Sequence, residues 1–325
     1  MNDSFFTPGF ALSTNRNRLP TLEGAGMKNV TRIFAVVVIG VMLVLTLTRI
    51  IIAGTEEDAI DFSMEITGLI PGDFTMLDMD VVKPESTDFN KLRRWGLVLG
   101  DSPGKQPRPD PGTPELLARY NSLYVADTDQ KVIYLTFDEG YENGYTSKIL
   151  DVLYENDVNA VFFITGPYLE KEDALIRRML DEGHAVGNHT INHKSLPGLS
   201  DEEIEKETTG LDRRFYEKYG ENMIFLRPPK GEYSERTLKI TSELGYINLF
   251  WSFAYNDWDT GRQRGWEYAY NKVINNLHNG AIILLHAVSS DNAQALDAII
   301  REARRQGYEF GDVFDLIYLA RRESQ

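Results

Sequence analysis

From Lys131 onward, short apolar runs alternate with stretches of helical texture, and this alternation constrains the fold more than any other feature of the chain. Residues 132–137 form an apolar run of the kind found in strands buried on both faces. Further strands are expected at 160–165, 184–186, 223–226, 246–252 and 281–285. Between them the pattern predicts helices at 145–156, 172–182, 201–219, 234–244, 266–278 and 292–306, and a terminal helix near 313–321. Strands alternating with helices imply parallel pairing through right-handed crossovers. So many units in one stretch predict a closed or nearly closed α/β barrel, in which function sits in the loops after the strands.

The other strong feature lies near the start. Residues 33–53 are apolar except for two threonines, Gly40 and Arg49. As a helix the run is roughly 30 Å long, about the hydrocarbon thickness of a bilayer. Lys28 and Arg32 precede it, while Glu56, Glu57 and Asp58 follow. By the positive-inside rule, residues 1–29 form a cytoplasmic tail and residues 30–53 a single-pass signal-anchor. The catalytic part then lies outside the membrane. A cleaved signal peptide is the rival reading, and Met27 is a second possible start. Residues 54–115 are read as a juxtamembrane spacer ending in a connector with prolines at 103, 107, 109, 111 and 114. The folded domain is expected over 116–325.

Charge narrows the partners. The formal net charge is -15, from 34 basic and 49 acidic residues, which argues against nucleic-acid binding. It also argues against long-range capture of an anionic polymer. With no cysteine, thiolate metal sites and cysteine nucleophiles are excluded.

Polar groups gather at the predicted strand ends. Asp138 and Glu139 close the first strand before Gly140, and Asn188-His189-Thr190-Ile191-Asn192-His193 follows the third. Arg227-Pro228-Pro229-Lys230-Gly231, Asp257-Trp258 and His286 follow later strands. Each has an ordinary reading when taken alone. Adjacent acids are common on surfaces, Arg227 can cap a loop, and a histidine at a strand end is commonly a satisfied core residue. His184 and His278 are assigned to that core role. His189 and His193, at i and i+4, can bind one metal from a helical face.

Taken in order, Thr-Phe-Asp138-Glu139-Gly140, His189-x3-His193, Arg227-Pro-Pro, Asp257-Trp258 and Leu-Leu-His286 resemble the polysaccharide deacetylases, carbohydrate esterase family 4. The resemblance covers roughly residues 131–320 and implies a distorted (β/α) barrel. Within the family, the runs 134–146, 227–231 and 284–293 are similar to the delta-lactam-biosynthetic de-N-acetylases of spore-forming bacteria. Trp95-Gly96 and the proline-rich connector extend that likeness to about residue 94. Such enzymes act on peptide-free N-acetylmuramic acid, whose freed amine closes on the lactyl carboxylate.

The resemblance implies roles for particular residues. Asp138 is the general base, and His286 protonates the departing nitrogen. Asp257 tunes His286, Arg227 orients the base, and the backbone N–H of Lys230 helps receive the oxyanion. Trp258 lines the acetate pocket, with Lys230 and Tyr141 as further substrate contacts. His189, His193 and Glu139 are the expected ligands of a divalent metal, with zinc the expected ion. The family usually has Asp at position 139. Glutamate is one methylene longer, whereas ligand distances must hold within about 0.2 Å.

The expected activity is metal-dependent de-N-acetylation of N-acetylmuramic acid in peptidoglycan, by a monomer held at the cell membrane. Deacetylation of N-acetylglucosamine in peptidoglycan or a chitin-like glycan is the alternative. A non-catalytic wall-binding protein that lost its metal through Glu139 is the third reading.

Overall fold

A computed structural model describes residues 88–323 apart from 101 and 103. The cytoplasmic tail, the membrane span and the first part of the spacer, all expected within residues 1–87, lie outside the described residues. Among the described residues no helix is long and apolar enough to cross a membrane.

The first elements are β1 (Arg93–Arg94), α1 (Thr113–Arg119), β2 (Ser122–Leu123), β3 (Val132–Glu139), α2 (Thr146–Glu155) and β4 (Ala160–Ile164). Next come α3 (Gly166–Lys171), α4 (Asp173–Asp181), β5 (Ala185–Asn188), α5 (Asp201–Tyr219), β6 (Phe225–Leu226) and β7 (Glu232–Tyr233). The chain continues with α6 (Glu235–Glu243), β8 (Ile247–Leu249), α7 (Trp266–Ile274) and β9 (Ala281–His286). It ends with α8 (Ser290–Arg305), β10 (Glu309–Phe310) and α9 (Asp315–Glu323).

The expected parallel sheet is present. β3 is its centre, paired in parallel with β4 on one side and β9 on the other. Beyond β4 the order runs β5, β6, β8 and β2. The sheet curls until its far side meets β9. Phe253, just past β8, bridges to Ile283, and the Leu284 N–H donates to the Phe253 carbonyl at 2.9 Å.

Side-chain alternation along β3 decides what faces where. Ile133, Leu135 and Phe137 are wholly buried in a core shared with Leu150 and Leu153 of α2, Met179 of α4 and Ile299 of α8. Truncating one of these to alanine would cost about 2–5 kcal/mol. Tyr134 turns the other way, into a second core with Phe163, Phe225 and Ile282 that Val313 and Leu316 close. Asp138 shares the parity of Tyr134, whereas Glu139 shares that of Phe137.

Three departures from the sequence reading matter for the site. The helix expected over 172–182 is preceded by a separate one, α3, with a proline in its first turn. Strand β8 stops at Leu249, because the chain then leaves the sheet to bridge to β9. The third concerns the start of the folded unit, since part of the expected spacer is packed into it. β1 pairs antiparallel with β7, and the Trp95 N–H donates to the Gly231 carbonyl at 2.8 Å. The Trp95 ring also lies 4.8 Å from that of Phe250.

Candidate active site

Asp138, at the end of β3, is paired with a buried arginine. Arg227 is fully buried, and its Nη1 donates to Asp138 Oδ1 at 2.7 Å. Its other donors reach the Leu249 carbonyl at 2.9 Å and Thr136 Oγ1 at 2.9 Å, and its guanidinium lies over the Phe163 ring. A buried charge without a partner is strongly destabilising, so these contacts are needed to keep Arg227 inside. Burial alone would raise the Asp138 carboxyl, but the nearby Arg227, His189 and His286 outweigh it and hold it below the usual carboxylate range.

The second cluster is the histidine turn after β5. His189 Nδ1 lies 2.9 Å from the Arg227 carbonyl, which can only accept, so Nδ1 carries the hydrogen. That leaves the Nε2 lone pair facing Asp138 Oδ2 at 3.5 Å. Burial depresses His189 to about 4, and it lowers His193 as well, so both rings are neutral near pH 7. The two ring centroids are 4.7 Å apart.

The sequence reading put this pair on a helical face, and the structure corrects that. Residues 189–195 are irregular, and Thr190 and His193 have φ of 66° and 53°. The left-handed backbone brings the two rings together without any helix.

The third cluster surrounds His286. Its Nδ1 is 2.7 Å from Asp257 Oδ1, and its backbone N–H donates to Asp257 Oδ2 at 2.8 Å. Asn292 Nδ2 donates to that same oxygen at 2.6 Å and to the His286 carbonyl at 3.1 Å. The Tyr255 hydroxyl in turn donates to Asn292 Oδ1. Burial opposes the imidazolium, yet Asp257 and then Asp138 raise the pKa of His286 above its ordinary value. Asn292 and Tyr255 were missed as site residues. The only signal was the place of Asn292 in the run after His286, because an asparagine's hydrogen-bond role depends on neighbours distant in sequence.

Glu139 goes elsewhere. Its carboxylate is fully buried and accepts from Thr146 Oγ1 at 3.3 and 3.4 Å. Burial, with Glu142 nearby, pushes its pKa well up. It does not line the cavity that holds the histidines. Glu139 is thus not brought together with the two histidines. Among the described residues no group of three His, Asp or Glu side chains is arranged to hold a metal ion. His189 and His193, two adjacent imidazoles with the Nδ1 of His189 committed to the Arg227 carbonyl, are the residues that would hold a divalent ion.

The three clusters open into one cavity of about 810 Å³, lined by Asp138, His189, His193, Lys230, Trp258 and His286. Tyr141 lines it too, and both Tyr141 and Trp258 keep more than half of their surface exposed. Lys230 sits in the left-handed region at φ 60°, in a short turn before Gly231. A side chain at Gly231 would come within 2.9 Å of Trp251 and Trp95, so this turn rests directly on the tryptophans.

Residues 125–249 match the family model for polysaccharide deacetylase. A 30.6 kDa protein of Geobacillus stearothermophilus is 49% identical over 226 residues, 69% of this chain and 84% of that one. The peptidoglycan-N-acetylmuramic acid deacetylase PdaA of Bacillus subtilis is 44% identical over 232 residues, 70% of this chain and 87% of that one. The solved structure of Bacillus subtilis PdaA, a family 4 carbohydrate esterase, superposes with a TM-score of 0.68 at 42% identity. That match covers 70% of this chain and 98% of the other. The chain therefore belongs to the polysaccharide deacetylases, the family 4 carbohydrate esterases, which are hydrolases of carbon–nitrogen bonds.

Proposed function

We propose that this protein removes the acetyl group from peptide-free N-acetylmuramic acid in peptidoglycan, and that the freed amine then condenses with the lactyl carboxyl group, a carboxyl C–O bond breaking with loss of water, to give the muramic delta-lactam of spore cortex. One observation carries the chemistry. An ionised carboxylate, Asp138 with Arg227, and an imidazole of raised pKa, His286 with Asp257, face one cavity. The 44% identity to PdaA supports muramic acid as the target.

Asp138 takes a proton from the attacking water as its oxygen bonds to the acetyl carbon. The backbone N–H of Lys230 receives the developing negative charge on the carbonyl oxygen. As the carbon–nitrogen bond breaks, His286 gives its Nε2 proton to the departing amine. Asp257 holds Nδ1 and stabilises the imidazolium before that step. Trp258 forms the acetate pocket, and Tyr141 offers a ring to the sugar. A divalent ion bound by His189 and His193 would act as a Lewis acid toward the acetyl carbonyl and the water. Residues 30–53 anchor the chain in the cell membrane, with the catalytic domain outside.

Purified protein with added zinc should release acetate from peptide-free glycan, and Asp138→Asn should release none while still folding at reduced stability. Its amide oxygen still accepts from Arg227 but carries no counter-charge. Wild-type release by that variant would remove Asp138 from the role of base.

A further inference from the structure

The histidine turn is held only in part by its own bonds, among them the His193 N–H donating to Thr190 Oγ1 at 3.0 Å. Thr190 and His193 are both in the left-handed region, which non-glycine residues occupy only when their surroundings impose it. Part of those surroundings is the start of α3, whose Gly166 N–H donates to the Ile191 carbonyl at 3.1 Å. Part is α5, a helix fixed at its start by a capping box of Ser200 and Glu203.

Seven residues into that helix, Glu207 is 4% exposed and aimed at the turn. Its Oε2 accepts the Asn192 backbone N–H at 2.8 Å, and its Oε1 accepts Asn192 Nδ2 at 2.7 Å. Its backbone carbonyl accepts the Ile191 N–H at 3.0 Å, and Lys194 Nζ lies 3.3 Å from Oε1. The next residue, Thr208, accepts Asn188 Nδ2 at 2.9 Å, while Asn188 Oδ1 accepts the Thr190 N–H at 2.9 Å. Helix and turn are also in close contact. A methyl group at Gly210 would meet Ile191 Cδ1 at 3.0 Å.

We propose that Glu207 is a positioning residue that grips Asn192 and so holds the His189–His193 turn in the shape that presents both imidazoles together. It touches neither imidazole in any contact seen here and acts through the backbone between them. Its consequence for metal rests on the reading that these two histidines bind the ion. The grip itself does not depend on that reading.

The test uses the full chain, prepared without metal. Amide hydrogen exchange over residues 188–194 reports the grip, and zinc titration against a chromophoric chelator reports its consequence. In Glu207→Ala we expect faster exchange in that segment alone and zinc binding weaker by about tenfold to a hundredfold, the range for residues that orient metal-binding histidines. Glu207→Gln keeps an acceptor for the Asn192 N–H and should fall between. Asn192→Asp attacks the grip from the turn side by setting like charges together, and it decides the matter if Glu207→Ala does not fold. Unchanged exchange and zinc affinity in a folded variant would overturn the proposal. Faster exchange in a protein whose wild type takes up no zinc would uphold the grip and reject the metal reading instead.

Discussion

Asp138 Oδ2 and His286 Nε2 face each other across 4.0 Å. That gap is too long for a direct hydrogen bond, yet both atoms can reach one substrate group. Each is set in the state its role requires. Arg227 keeps Asp138 ionised, and Asp257 favours the imidazolium of His286.

The rate should therefore rise with pH through the lowered pKa of Asp138, stay level, and fall as pH passes the raised pKa of His286. Asp257→Asn removes the charge that lifts His286, so the falling limb should move to lower pH while the rising limb stays. A pH profile of kcat/KM on soluble glycan checks this. A falling limb that does not move would detach Asp257 from the acid.

Arg227→Met should lower stability by about 3–5 kcal/mol, since Asp138 would be left buried without its partner. The loss should be smaller at low pH, where Asp138 can become neutral. Denaturant unfolding at two pH values reads both effects. A pH-independent loss would mean that packing, not charge, dominates at Arg227.

Much of this site was legible in the sequence because strand ends of a curled parallel sheet converge. Asp138, His189, Arg227, Asp257 and His286 could be placed at strand ends suited to one pocket from element order alone, and their roles by resemblance. Glu139 stands apart from the histidines in the structure, engaged by Thr146. Its contact with Thr146 depends on the turn into the next helix, which resemblance alone does not show. The shape of the histidine turn was hidden as well. It depends on Glu207, fifteen residues beyond Asn192 in sequence, and on two left-handed residues that no spacing rule reveals.

Glu139→Gln should leave zinc affinity within about twofold of wild type, because the side chain is engaged by Thr146 away from the cavity. Glu139→Ala should cost about 1–3 kcal/mol by leaving a buried hydroxyl without its acceptor. Zinc titration and thermal unfolding separate the two effects. Loss of zinc in Glu139→Gln would restore Glu139 as a ligand.

Substrate choice should depend on Lys230. A muramic residue without its peptide carries a lactyl carboxylate, and the chain's net charge of -15 cannot attract it from a distance. Lys230 is an exposed cation lining the cavity. Lys230→Met should reduce kcat/KM on peptide-free muramic glycan by about tenfold to a hundredfold, as expected for a charge-assisted contact of about 1.5–3 kcal/mol. Slow activity on chitooligosaccharide should be spared. Equal losses on both substrates would remove Lys230 from carboxylate recognition.

On the proposed function, the acetyl group leaves N-acetylmuramic acid rather than N-acetylglucosamine. Mass spectrometry of muropeptides from peptide-free glycan, before and after incubation with the zinc-loaded protein, tests it most directly. The muramic residue should lose its acetyl group, appearing as free amine or lactam, with the neighbouring N-acetylglucosamine intact. Acetyl loss confined to the glucosamine residues would contradict it.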